Sequence, residues 1–281
     1  MKTILVPTDF SKPANNAALY AIHLAEEINA KVLLYHVYDF PIGIAGDVAV
    51  PLSTPDQLQK SSEHLLKKAA TRLQKISTVE IKYKAKMGSI VDKILEEEDN
   101  ATYVVMGMQG AGKLTELLVG SITTAVLKKT KRPILVIPEK AKYVKPRKIV
   151  LATDYDPTIN VNSLKSLKLF TRLLHAEILI VNVRNKKALV TKENTIVENT
   201  MEIGLKGAHH YYYYSDKDNL VEGINEFVTI KNADLIAIIP HKYSFFNNLF
   251  HKSVSKKMVF HTKLPLLALP DNHKSIAAYL I

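Results

Sequence analysis

The strongest constraint on this chain is that it repeats itself. KIVLATDY (148–155) repeats TILVPTDF (3–10), setting Thr153-Asp154 against Thr8-Asp9. AEILIVNV (176–183) matches AKVLLYHV (30–37), ADLIAII (233–239) matches ATYVVMG (101–107), and KLPLLALP (263–270) matches KRPILVIP (131–138). Four matches in one order imply a duplicated unit rather than chance. A chain of 281 residues has room for two such units. The expected domains are 1–140 and 146–281, joined by Lys140–Lys145 with Pro146 at the end of the linker.

Between the matched apolar runs the pattern is helical. After a strand Lys2–Val6, Ser11 caps a helix to about Asn29, whose apolar face runs from Ala14 through Ile28. Lys31–Tyr38 reads as a buried strand and residues 39–55 as a loop able to cover a ligand. A long helix follows, Pro55 to Ser77, with Leu58, Leu65, Leu66, Ala69, Leu73 and Ile76 inward. Val79–Lys86 alternates in polarity and so belongs at an edge. A helix to Glu98, a strand 102–106, a helix from Ser121 and a strand Pro133–Pro138 complete the unit. Strands alternating with helices imply an α/β fold. Each of the two repeated domains is expected to be a five-stranded parallel, doubly wound (Rossmann-like) sheet with helices on both faces.

The chemistry concentrates in VVMGMQGAGKLTELLVGSIT (104–123). A buried strand runs into Gly107, Gly110 and Gly112, and Gly120-Ser121 then opens a helix. Glycines let main chain approach a ligand closely, and a helix N-terminus offers free N–H groups and positive potential. Strand, loop and helix end together suit a phosphate, so the expected ligand is an anion and a nucleotide. A Walker A reading, Gly107-x4-Gly112-Lys113, fails at Leu114, where a hydroxyl must hold the metal.

The alternative spacing, Gly107-x2-Gly110-x9-Gly120-Ser121 with Thr123 following, resembles the nucleotide loop of the universal stress protein family in its ATP-binding branch. With the duplication, the whole chain resembles a tandem member of that family. The resemblance implies that Gly107, Gly110, Gly120 and Ser121 meet phosphates and ribose, that Asp9 contacts the base, and that Val37 offers backbone groups to adenine. The full expected set is Pro7, Thr8, Asp9, Val37, Met106, Gly107, Gln109, Gly110, Gly120, Ser121, Ile122 and Thr123. Met108 and Gln109 depart from the Ser-His often seen there, and Asp9 has a local role open to it as well, bonding nearby backbone N–H groups. The implied ligand is ATP or another adenine nucleotide, with Mg²⁺ as a companion. No metal site or catalytic residue of the protein's own is expected, and activity is limited to weak ATP hydrolysis. The function implied is stress response or regulation through one competent site. A slow ATP hydrolase or phosphotransferase using Lys113 on the phosphates, and a ligand-free scaffold, are the alternatives. By analogy with family homodimers, the halves should form an intramolecular pseudo-dimer through strands 133–138 and 265–270; association of two whole chains as a homodimer is left open.

The second domain looks degenerate. Ile239-Pro240-His241-Lys242 replaces the glycine loop, Lys252-Ser253 replaces Gly120-Ser121, and Pro240 has no N–H to give. HHYYYYSD (209–216) should be its edge strand, with a face able to show tyrosine rings to a partner. The acidic run Glu96–Asp99 reads as solvated surface, and SIAAYLI (275–281) as apolar enough to dock.

Composition narrows the partners. The net charge is +11, divided as +3 over 1–140 (18 basic, 15 acidic) and +8 over 141–281 (20 basic, 12 acidic), with the basic residues scattered. That reads as a basic surface without a nucleic-acid groove. There is no apolar run of membrane-spanning length, the start MKTILVPTDF is too short for a signal peptide, and there are no cysteines. No nucleic acid, no membrane and a cytoplasmic location are expected. The ten histidines show no metal-binding spacing.

Overall fold

The computed structural model describes residues 1–39, 42–45, 48–51, 54–108, 121–153, 155, 159–183, 192–217, 219–240 and 264–270. The first half runs β1 (Lys2–Pro7), α1 (Lys12–Ile28), β2 (Ala30–Tyr38), β3 (Ile42–Ala45), β4 (Val48–Pro51), α2 (Pro55–Gln74), β5 (Ile81–Met87), α3 (Ile90–Glu97), β6 (Tyr103–Met108), α4 (Ser121–Lys129) and β7 (Ile134–Pro138). The second runs β8 (Lys148–Thr153), α5 (Val161–Leu174), β9 (Glu177–Val183), α6 (Lys192–Leu205), β10 (His210–Ser215), α7 (Leu220–Lys231), β11 (Leu235–Ile238) and β12 (Leu266–Ala268).

Ten of the strands join one sheet, in the order β10-β9-β8-β11-β12-β7-β6-β1-β2-β5. Each half contributes five parallel strands wound outward in both directions from its first. The seam is the one antiparallel pair of this sheet among the described residues: Leu266, Leu267 and Ala268 of β12 lie opposite Val136, Leu135 and Ile134 of β7. The final strands of the two halves therefore meet at the centre, and the alternating strands β5 and β10 form the outer edges.

The central strands are apolar on both faces because both are covered. Ile4 and Val6 face one layer and Leu5 the other, all fully buried. The layer under Ile4 is continuous across the seam, reaching Leu164, Leu167 and Phe170 of α5, and α1 touches α5. Alanines at 14, 17, 18, 21 and 25 let α1 lie close to the sheet. Its ends are set locally: Ser11 Oγ accepts from Ala14 N at 3.4 Å, and Asn29 closes the helix at φ 51.

Four expectations are corrected. The stretch 39–55 contains the antiparallel hairpin β3–β4 rather than loop alone. In α2, Leu65 is 44% exposed; the helix stops at Gln74, and Ile76 beyond it is 54% exposed. Leu65 and Leu66 are adjacent, about 100° apart on a helix, and the buried stripe takes Leu66, Ala70 and Leu73. The acidic run is not simply solvated: Glu97 pairs with Lys84, and Glu98 is buried, accepting Thr130 Oγ1 at 2.6 Å and Lys131 N at 2.8 Å. Burial raises the Glu98 pKa, and those two hydrogen bonds pull it back. The linker packs too, with Tyr143 edge-on to Tyr20 at 4.8 Å and Lys145 paired with Glu27.

Candidate functional site

From β1 the chain winds one way to β2 and later returns on the other side as β6, so strand order reverses at β1. A doubly wound sheet opens a crevice beyond the carboxyl ends of its strands at such a point. A cleft of about 300 Å³ lies there, and Pro7, Thr8 and Asp9 form part of its wall.

The loop after β1 is held by its own side chains. Thr8 N donates to Tyr35 O at 2.9 Å, and Thr8 Oγ1 accepts from Phe10 N at 3.0 Å. These bonds keep Phe10 in the left-handed region, φ 63, with its ring against His36 at 4.6 Å. Asp9 Oδ1 accepts from Ser11 N at 3.0 Å. The local role of Asp9 is thus filled by one oxygen, and its other carboxylate oxygen keeps its acceptor capacity on a residue that lines the cleft.

The end of β6 needs a glycine. A Cβ on Gly107 would lie 2.5 Å from the carbonyl carbon and oxygen of Pro13 and 2.8 Å from Ala14 N. The first turn of α1 therefore presses directly on strand backbone, and both line the cleft. Thr123 Oγ1 donates to Gly107 O at 3.3 Å, so this threonine ties α4 to the same strand end. Ser121, exposed, is the first residue of α4 and places that helix's positive end at the cleft. Val37 and Met106 supply buried apolar wall, with Ile122 half-buried beside them.

Nine of the twelve expected residues thus line one cleft: Pro7, Thr8, Asp9, Val37, Met106, Gly107, Ser121, Ile122 and Thr123. Gln109, Gly110 and Gly120 lie outside the described residues, as does Lys113. Sequence reasoning missed Tyr35, Ile90 and Ile94, which also line it. The signal was there: Tyr35 stands two residues before Val37 on one strand face, and Ile90 and Ile94 are one helical turn apart. Burial, then the charges of Glu97 and Glu96, push the Tyr35 phenol up to about 12, so at pH 7 it is a neutral hydroxyl.

The second half keeps the turn and changes what surrounds it. Thr153 Oγ1 accepts from Tyr155 N at 3.1 Å, and Tyr155 has φ 54. Ile239, buried, stands where the first half has Gly107. Asp154, the loop residues 241–255 and the tail 275–281 lie outside the described residues. On the edge strand, the tyrosine hydroxyls turn to the protein itself: Tyr212 donates to Glu202 at 2.9 Å and Tyr214 to Glu198 at 2.8 Å, while Lys231 Nζ lies 4.2 Å over the Tyr213 ring. Tyr211 and Tyr214 keep exposed rings. Among the described residues no three His, Asp or Glu side chains gather as metal ligands, and no helix is long and apolar enough to cross a membrane.

The sequence profile of the Universal stress protein family matches residues 1–138. A universal stress protein of Methanocaldococcus jannaschii is 30% identical over 145 residues, spanning 50% of this chain and 84% of the relative. A universal stress protein of Synechocystis is 30% identical over 137 residues, spanning 49% of this chain and 85% of the relative. Over both halves the fold is similar to the crystal structure of a universal stress protein from Archaeoglobus fulgidus, with a TM-score of 0.73, 18% identity, and coverage of 96% of this chain and 98% of that one. The duplicated doubly wound sheet, the cleft at its reversal point and these relatives agree: the chain belongs to the universal stress protein family.

Proposed function

We propose that the first half binds an adenine nucleotide, ATP in the first instance, and that the chain acts in stress response or regulation by reporting that nucleotide's occupancy. The observation that carries the reading is the convergence at one crevice of Asp9, Gly107 and the N-terminus of α4. Each supplies a different part of nucleotide recognition. Asp9 Oδ2 can accept from an amino group or a ribose hydroxyl. Tyr35, Val37, Met106 and Ile94 give a planar base an apolar wall. Ser121, with the helix end behind it, faces the polyphosphate. Lys113 and a Mg²⁺ ion would add charge neutralisation without making the site a catalyst. The cleft's described groups position a ligand, and binding is the activity they support.

A titration of the full chain with ATP, read by thermal unfolding, tests this. Ligand that binds only the folded state adds about 2.7 kcal/mol at a hundredfold excess over Kd. The melting temperature should rise with ATP, and rise less in Asp9→Ala. No shift at millimolar ATP would sink the reading and leave the scaffold alternative standing.

A further inference from the structure

A second concave surface, which shares no lining residue with the nucleotide cleft, lies where α2 meets the loop after β1. It is an open groove of about 750 Å³ whose lining includes Phe10, Leu65 and Ala69. Leu65 is large, apolar and 44% exposed. Around this floor stand Lys67, Lys68 and Arg72 of α2 and Lys75 just past its end. Like charges three and four residues apart repel along a helix. Some cations elsewhere are paired with carboxylates: Lys84 meets Glu97, Lys93 meets Glu96, Lys145 meets Glu27 and Lys217 meets Glu226. Among the described residues Lys67, Lys68 and Lys75 meet no carboxylate. Arg72 Nη2 is spent on a neutral group, Asn15 Oδ1 at 2.6 Å, and Glu63 one turn away is held by Gln59 Nε2 at 2.9 Å. The helix thus keeps an unneutralised cationic rim around an apolar floor.

We propose that this groove docks an acidic, amphipathic segment of a partner protein. Its apolar stripe would cover Leu65, Ala69 and the Phe10 edge, and its carboxylates would answer the four cations. The charge complementarity names the occupant's sign, and the floor names its second property. A nucleic acid would satisfy the cations through phosphate but would leave Leu65 facing a charged backbone. The helix-in-groove mode fits both features. Docking here does not depend on the nucleotide reading.

The test uses the full chain and a fluorescein-labelled peptide of about 14 residues, three to four helical turns. It carries Leu at three- and four-residue spacings and Glu elsewhere. A scrambled peptide of the same composition and an oligouridylate of about equal length are the controls. Fluorescence anisotropy should show binding of the patterned peptide, weakened by salt and by about tenfold in Lys67→Glu/Lys68→Glu. Leu65→Gln, which changes no charge, should weaken it several-fold. All three substituted positions are exposed, and unchanged circular dichroism and melting temperature would show that the fold is intact. Equal binding of the scrambled peptide, no effect of the charge reversals, or a preference for the oligouridylate would each overturn the proposal. ATP stabilisation measured on the same sample separates this result from the fate of the nucleotide site.

Discussion

The two halves share a turn but differ in what stands over it. After β1 and after β8 the same arrangement recurs: a threonine hydroxyl accepts the N–H two residues on, and an aromatic residue there takes a left-handed φ, Phe10 in one half and Tyr155 in the other. Beyond that point they diverge. The first helix begins four residues after Thr8, but eight residues after Thr153. The opening turn of α1 is the part that touches Gly107 backbone to backbone, and the second half has Ile239 at the matching position. A side chain there and a helix turn there exclude one another. The difference teaches that the cleft is a property of a pair, a bare strand end and an early helix start, and that both members are altered together in the second half.

The substitution that attacks this pair most directly should have the largest effect. Gly107→Ile, importing the second half's residue, forces carbon into space already held by Pro13 and Ala14. Overpacking of that kind costs about 2–3 kcal/mol. The urea midpoint should fall accordingly and ATP stabilisation should vanish. A variant with unchanged midpoint would show that the first turn of α1 yields without cost, and the comparison would lose its basis.

A gentler pair of substitutions sharpens the shared part. Thr8→Val and Thr153→Val keep shape and remove the acceptor for Phe10 N and Tyr155 N. Losing that bond should cost about 1 kcal/mol at half-buried Thr8 and more, toward 2 kcal/mol, at Thr153, where the bond is buried. ATP affinity should drop only in Thr8→Val. Equal loss of affinity in both, measured by thermal shift, would mean that the second half also carries a ligand.

Much of this architecture was legible in the chain. Repeated apolar runs located eight of the ten sheet strands, the run HHYYYYSD marked β10, and polar alternation in 79–86 placed β5 at an edge, because a strand with one solvated face must alternate. The duplicated final strands pointed to the seam that β7 and β12 form. Asp9 was readable because its bond to Ser11 N is local, and Gly107 because the glycine spacing marked it, although the contact that excludes a Cβ there, with Pro13 and Ala14, is tertiary. What escaped was tertiary. Glu98 looked like surface because a carboxylate is costly to bury, and only Thr130 and Lys131, more than thirty residues away, make its burial tolerable. Leu65 looked like core because α2 has more apolar residues than one stripe accommodates. Tyr35 was passed over although it shares a face of β2 with Val37, because Val37 entered the set through the family resemblance; how far along that face the cleft extends depends on register with β1, where Pro7 lies opposite Tyr35.

Tyr35 also gives the smallest and most selective test, since Val181 occupies the matching place in the second half. Burial holds the folded-state phenol neutral and raises its pKa from 10.0 to about 12. A raised pKa on a group that is neutral when protonated means the folded chain holds the proton more tightly than the unfolded one. Stability from this source is therefore complete below pH 10 and is lost as pH climbs toward about 12. Tyr20, Tyr143, Tyr155 and Tyr212 are raised as well, so wild type weakens on this limb for several reasons at once. Their contribution is common to Tyr35→Phe, and only the difference between the two proteins reports the cleft. Urea midpoints should nearly coincide at about pH 8, and the wild type should lose more than the variant by about pH 11. Parallel pH curves would mean that Tyr35 is solvated in the folded chain, and that the apolar wall assigned to the nucleotide base is open to water.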